Sequence, residues 1–323
     1  MKKIRSLLVP ALLFTILFYA SCDGDQGDPG PKGDPGQTGE NGQNGADGED
    51  GNTNSFYFQN GFKGYESTAD ISITNNFDAF ATPPTGESFT LYALQQENVD
   101  DASLTDIATS LIRFDNLKEV IEEEQGLNLC SGEFFVNSAI LYLNGVCSTN
   151  GNETFLQLGI LGATSPAFDE TNATWEKANS TEPWAVDGAG EQWAFNDPIL
   201  TSLGLANIGY LHNLDATLDL RTMLHQPFYI PGEAIKNWLC EEGSNKGLRI
   251  SIHGNDGIVF IYSSEGPEKE MRPLLYINID KSKDGQTGRM TQEDSFETWS
   301  KLSYEEKMEP FYKAYPELRV NRP

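Results

Sequence analysis

Between residues 68 and 279 apolar and polar side chains alternate in short runs separated by Gly, Asn and Asp clusters. A period of two puts every second side chain on one face of an extended strand. The runs predict strands at 68–74, 88–94, 109–115, 137–143, 153–161, 216–224, 247–253, 257–263 and 273–279. Gly254-Asn255-Asp256-Gly257 lies between two of these runs and predicts a hairpin. Only two interior helices compete, at 117–125, with Glu at 122–124, and at 232–240, after Pro231. Many evenly spaced strands and few helices predict an all-β fold: an antiparallel β-sandwich, or jelly roll, with two small helical insertions.

Upstream of this body, glycine recurs at every third position from Gly24 to Gly51. Only glycine fits the axis of a collagen triple helix, so the repeat is collagen-like. Its prolines are Pro29, Pro31 and Pro35, and between Asp23 and Gly51 eight carboxylates face the single Lys32. Self-repulsion opposes a trimer. The segment therefore reads either as a solvated spacer or as a trimeric stalk about 90 Å tall, at roughly 3 Å per residue, that would make the chain a homotrimer.

At the start of the chain Lys2, Lys3 and Arg5 precede an apolar run at 7–19, of signal-peptide rather than membrane-span length. Ala20-Ser21-Cys22 follows, with Tyr19 where Leu is usual, and resembles the lipobox of bacterial lipoproteins. The resemblance implies removal of residues 1–21, acylation of Cys22 by palmitate-like chains, and a lipid anchor in the outer membrane at the surface of a Gram-negative cell. The domain plan is a signal peptide at 1–21, a spacer or stalk at 22–53, a sandwich at 54–280, and a linker with a helical tail at 281–323.

Lys and Arg total 22 against 48 Asp and Glu. With no basic stripe, nucleic acid and bare anionic membrane surfaces are poor partners, and a polyanionic glycan would be repelled at long range. Three cysteines remain once Cys22 is lipidated. In an oxidising compartment Cys130 and Cys147 form the candidate disulfide, closing a loop of about eighteen residues worth on the order of 3 kcal/mol. Cys240 is then left as a buried, inert thiol. No CxxC or paired His at ligand spacing calls for a transition metal.

Several segments occur in a familiar order: Leu111-Ile112-Arg113-Phe114-Asp115, Ser138 to Leu143, Ala173-Thr174-Trp175 with Pro183-Trp184, and Ile230-Pro231 before Ile235 and Trp238. Asn245-Lys246-Gly247-Leu248, Ser263-Ser264-Glu265 and Arg272-Pro273-Leu274-Leu275 complete it. Over about residues 68–280 the chain resembles the DNRLRE-type domain grouped with carbohydrate-binding module family 96. The resemblance implies a jelly-roll module without catalysis, some of whose relatives bind acidic polysaccharide. The chain departs from that pattern in a Glu-rich insertion at 117–136 that carries Cys130, and in a long loop between Trp184 and Thr217.

Phe114, Ile140, Tyr142, Trp175, Trp184 and Trp238 read as core packing. Arg113 and Arg272 read as partners of carboxylates within the sandwich. Trp193, Tyr210 and His212, in the long polar loop, are the candidate ligand-binding residues, because an aromatic ring there has no core to fill. His212, His225 and His253 stand in separate elements, and no GxSxG, HExxH or P-loop pattern occurs, so no enzyme is expected. No cofactor is expected. Asn255-Asp256-Gly257 and 187–191 offer oxygen ligands to a structural Ca2+, and turn chemistry accounts for them equally well.

In the tail, Thr291-x-x-Asp294 and Ser303-x-x-Glu306 are capping boxes for helices at 291–302 and 303–315, with Pro310 starting a new turn. Phe296, Trp299 and Leu302 form one apolar stripe, and Met308, Phe311, Tyr312 and Tyr315 another, suited to docking on the sandwich or on a partner. Two functions follow. The chain is a cell-surface lipoprotein that captures polysaccharide, or a structural, adhesive surface protein on a trimeric collagen-like stalk.

Overall fold

The computed structural model describes residues 55–75, 90–97, 105–125, 128–131, 134–149, 154–162, 164–190, 204–207, 220–254, 257–281 and 292–320. Eleven strands are described: β1 (Ser55–Phe58), β2 (Thr68–Thr74), β3 (Thr90–Glu97), β4 (Thr105–Phe114), β5 (Phe134–Thr149), β6 (Thr154–Ile160), β7 (Gly204–Asn207), β8 (Leu220–Tyr229), β9 (Leu248–Gly254), β10 (Gly257–Tyr262) and β11 (Leu274–Lys281). All their pairings are antiparallel. Neighbours run β3-β10-β5-β8 on one side and β4-β9-β6-β7 on the other, with β3 and β4 paired to each other. This is the strand order of a jelly roll. β2 adds to the free edge of β4, and β11 and then β1 add to β5.

The 16-residue β5 serves two neighbours along one edge, β11 up to Tyr142 and β10 from Gly145 onward. The change of partner needs a glycine. A Cβ on Gly145 would meet the Phe260 carbonyl oxygen at 2.2 Å.

The period-two pattern is explained by the core. Leu141 and Leu143 of β5, Ile112 and Phe114 of β4, Ile250 of β9, and Leu275 and Ile277 of β11 meet in one central cluster. Their neighbours in sequence face outward and are buried too. Ile71, Ile73 and Leu111 lie under the irregular segment 161–190, through Phe168, Trp184 and Ala189. Ile140, Tyr142, Leu274 and Tyr276 lie under the C-terminal helices, through Met308, Phe311 and Tyr312. Both outer faces therefore carry a second apolar layer. The six residues expected to pack in the core, Phe114, Ile140, Tyr142, Trp175, Trp184 and Trp238, all belong to these clusters or pack against them.

Helices α1 (Leu117–Gln125) and α2 (Gly232–Cys240) stand where the sequence predicts them. The tail folds as α3 (Gln292–Lys301), α4 (Tyr304–Ala314) and α5 (Pro316–Val320), docked on the sandwich. Ser303 caps α4: its side chain accepts from the Glu306 N–H, and its own N–H donates to Glu306 Oε2 at 2.8 Å. Ser303→Ala is expected to cost about 1 kcal/mol, read as a lower urea midpoint at unchanged slope. Pro310 does not begin a new turn as expected. It lies inside α4, where burial of Phe311 and Tyr312 on the sheet outweighs the hydrogen bond it removes.

Two further expectations are corrected. β9 and β10 form no hairpin: β9 pairs with β4 and β6, while β10 pairs with β3 and β5. Each strand has both edges occupied, so the Gly-Asn-Asp-Gly link crosses between sheets. Cys130 is bonded to Cys240, with Cα atoms 5.6 Å apart, and not to Cys147. Cys130 precedes β5 and Cys147 lies near the far end of that strand, so at roughly 3.3 Å per residue some 40 Å of extended chain separates them. The last residue of α2 is brought alongside instead, so Cys240 is an exposed disulfide cysteine rather than a buried thiol.

Candidate functional site

Among the described residues, a concave surface lies at one end of the sandwich. A cleft of about 890 Å³ opens between the start of β2 (Ser67, Thr68, Ala69), the β4–α1 junction (Asp115 to Glu119), and the end of α2 with the turn after it (Trp238 to Gly243, Asn245). The Tyr65 hydroxyl ties the first two walls together, lying 2.9 Å from the Ser67 carbonyl oxygen and 2.8 Å from that of Asp115. Burial, and then the Asp115 charge, hold this phenol far above its usual pKa, so it remains a donor.

Asn116 turns the chain from β4 into α1 at φ 58°, a left-handed conformation that Asn tolerates. Its Nδ2 donates to Ser67 Oγ at 3.0 Å. Asn245 Nδ2 donates to the Phe114 carbonyl at 2.7 Å and fixes the third wall. Arg113 closes on Asp115 with two bonds, at 2.7 and 3.0 Å, and also donates to the Phe168 carbonyl while lying over that ring. The expected Arg113–carboxylate pair is present. Arg272 donates to the carbonyl oxygens of Gly266 and Asn60.

What the cleft presents to solvent is one half-buried indole, Trp238, flanked by the exposed Asn116, Glu119, Glu241 and Glu242 and the half-buried Lys118. An indole with amide and carboxylate acceptors around it can take the C–H face of a sugar while the acceptors bond its hydroxyls. Asp115 is neutralised by Arg113, and the remaining three carboxylates outnumber Lys118. Such a surface favours neutral over anionic ligands. Sequence reasoning places Trp238 in the core; it does pack there, and it lines the cleft as well.

Trp193, Tyr210, His212 and Cys22 lie outside the described residues, as do Asn255 and Asp256. Asp187 sits in a single 3-10 turn. Carboxylates converge at a place the sequence did not suggest for a metal. Oxygens of Asp70 (β2), Glu170 (in the segment covering β2 and β4) and Glu265 (just after β10) lie within 4.8 Å of one another. Asp70 is 1 % exposed. Its Oδ2 accepts from the Ser264 N–H at 2.6 Å, and its own N–H donates to Glu170 Oε1 at 2.9 Å. Burial and then the Glu265 charge push the Asp70 carboxyl well above the ordinary range, and burial raises Glu170 as well. A charged residue within a strand whose other members are all uncharged was the available signal.

No protein-family model matches the chain, and no curated protein matches it. Among the described residues no helix is long and apolar enough to cross a membrane.

Proposed function

We propose that this chain is a non-catalytic, lipid-anchored surface protein whose β-sandwich captures polysaccharide, with Cys22 as the anchor at the outer membrane and the Gly-x-y segment as its reach. In this reading the sandwich is a module of the DNRLRE type. The observation that carries the proposal is the end cleft, where the indole of Trp238 is framed by hydroxyl-binding groups on a wall held rigid by Tyr65 and Asn245. Its acidic rim argues for a neutral, hydroxyl-rich glycan over a uronate-rich one. Trp193, Tyr210 and His212 stay candidate ligand contacts in this reading on the sequence alone.

Affinity gel electrophoresis against a panel of plant and algal polysaccharides tests this. At least one neutral polysaccharide is expected to retard the protein more than alginate does. Trp238→Ala is expected to weaken retention about tenfold or more, as loss of a central aromatic anchor does, with the folded state checked by near-ultraviolet circular dichroism. Trp193→Ala weakens it further if the loop takes part. A protein that migrates unretarded through the whole panel overturns the capture reading and leaves the trimeric adhesin, which light scattering would then show as a trimer.

A further inference from the structure

We infer that Asp70, Glu170 and Glu265 form a calcium-binding site that fastens the segment covering one face of the sandwich to the strands beneath it. The three carboxylates come from separate parts of the chain, and their oxygens approach within 4.8 Å. Oxygens gathered this closely fit inside the coordination sphere of a calcium ion, whose ligands sit at about 2.3–2.6 Å and whose flexible geometry tolerates an irregular set. An all-oxygen donor set selects a hard cation.

A second observation points into the same place. Asp70 is buried, and its Oδ1 has no hydrogen-bond partner; Glu265 Oε2 is buried and unpartnered as well. Among the described residues no Lys or Arg pairs with any of the three carboxylates. The Arg113 charge is felt by Glu170, but its guanidinium is bonded to Asp115 and the Phe168 carbonyl and not to the three carboxylates. Uncompensated carboxylates in a desolvated position are costly unless protonated or bound to a cation. The backbone amides of Ser264 and Asp70 hold two of the carboxylates in place, so the oxygens converge before any ion arrives.

The consequence is mechanical. Glu170 is the only one of the three in segment 164–190, whose Phe168, Ala173 and Trp184 cover the outer face of β2 and β4. A shared ion would link that cover to β2 and to the turn after β10. The proposal is independent of the glycan reading, because its readouts contain no sugar.

The test uses the purified protein stripped of metal on a chelating resin. In calcium chloride at a hundredfold excess over Kd the melting temperature is expected to rise by about 5 °C or more, and titration calorimetry is expected to give one ion per chain. Glu265→Gln and Asp70→Asn are each expected to abolish the calcium response. Without calcium, Asp70→Asn is expected to melt no lower than the parent, because it removes an unpaired buried charge, which separates loss of a ligand from misfolding. Should Asp70→Asn not fold, Glu265→Gln alone decides. The inference is overturned if the parent shows no calcium-dependent shift, if the shift persists in Glu265→Gln, or if magnesium at equal concentration produces the same shift.

Discussion

Reducing the Cys130–Cys240 bond is expected to lower the stability of the sandwich by about 4 to 5 kcal/mol. The bond spans 110 residues. In the chain-entropy account the stabilisation grows with the logarithm of the loop length, reaching about 4.7 kcal/mol for roughly a hundred residues. That loop contains β5 to β8 and α2, which supply strands to both sides of the sandwich. Both cysteines are exposed, so a reductant reaches them without prior unfolding. Urea denaturation with and without reductant should show the loss. Cys130→Ser and Cys240→Ser are expected to remove the dependence on reductant, whereas Cys147→Ser keeps it. A reductant effect that disappears in Cys147→Ser would refute the pairing.

The second large effect is at the docked tail. Phe311→Ala is expected to cost about 3 to 5 kcal/mol, the range for emptying a buried aromatic site. Phe311 is fully buried, its ring centroid 5.3 Å from Tyr142, 4.2 Å from His225 and 5.3 Å from Tyr315. The Tyr142 hydroxyl donates to the Lys307 carbonyl at 2.8 Å, so ring and backbone of α4 are both engaged by β5. The Tyr315 hydroxyl reaches Gln59 Oε1 at the end of β1, and burial with the nearby Glu270 and Glu317 charges pushes this phenol up to about 12. Without the Phe311 ring the outer face formed by Ile140, Tyr142, Leu274 and Tyr276 loses the centre of its cover. Urea denaturation of the whole protein measures the loss. A change under about 1 kcal/mol would mean that the helices are an appendage that contributes little to the sandwich.

Much of the local structure was legible beforehand, and the reason is physical. The strand 68–74 and helices 117–125 and 232–240 occur at their predicted bounds because backbone periodicity and intrinsic propensity act over a few residues. The Ser303 capping box is present for the same reason. Strands β1 and β7 escaped notice at four residues each, too short to establish a pattern. The Gly-Asn-Asp-Gly link carries real turn chemistry, yet a turn signal does not say whether its strands have free edges for each other. The cleft was half legible. Trp238 was visible as an aromatic residue, and nothing local showed that its ring would serve the core and a solvent-facing wall at once.

By itself the sequence determined most of the extended stretches and the two interior helices, since these follow from propensities and spacing along a short piece of chain. Tertiary structure alone decided which edges pair, that the outer faces would be covered by segment 161–190 and by the C-terminal helices, that Cys130 would meet Cys240, and that Asp70, Glu170 and Glu265 would converge. Each of those outcomes joins residues far apart in the chain. Such contacts are selected by competition among all available partners for edges, buried area and charge compensation, and no local window contains that competition.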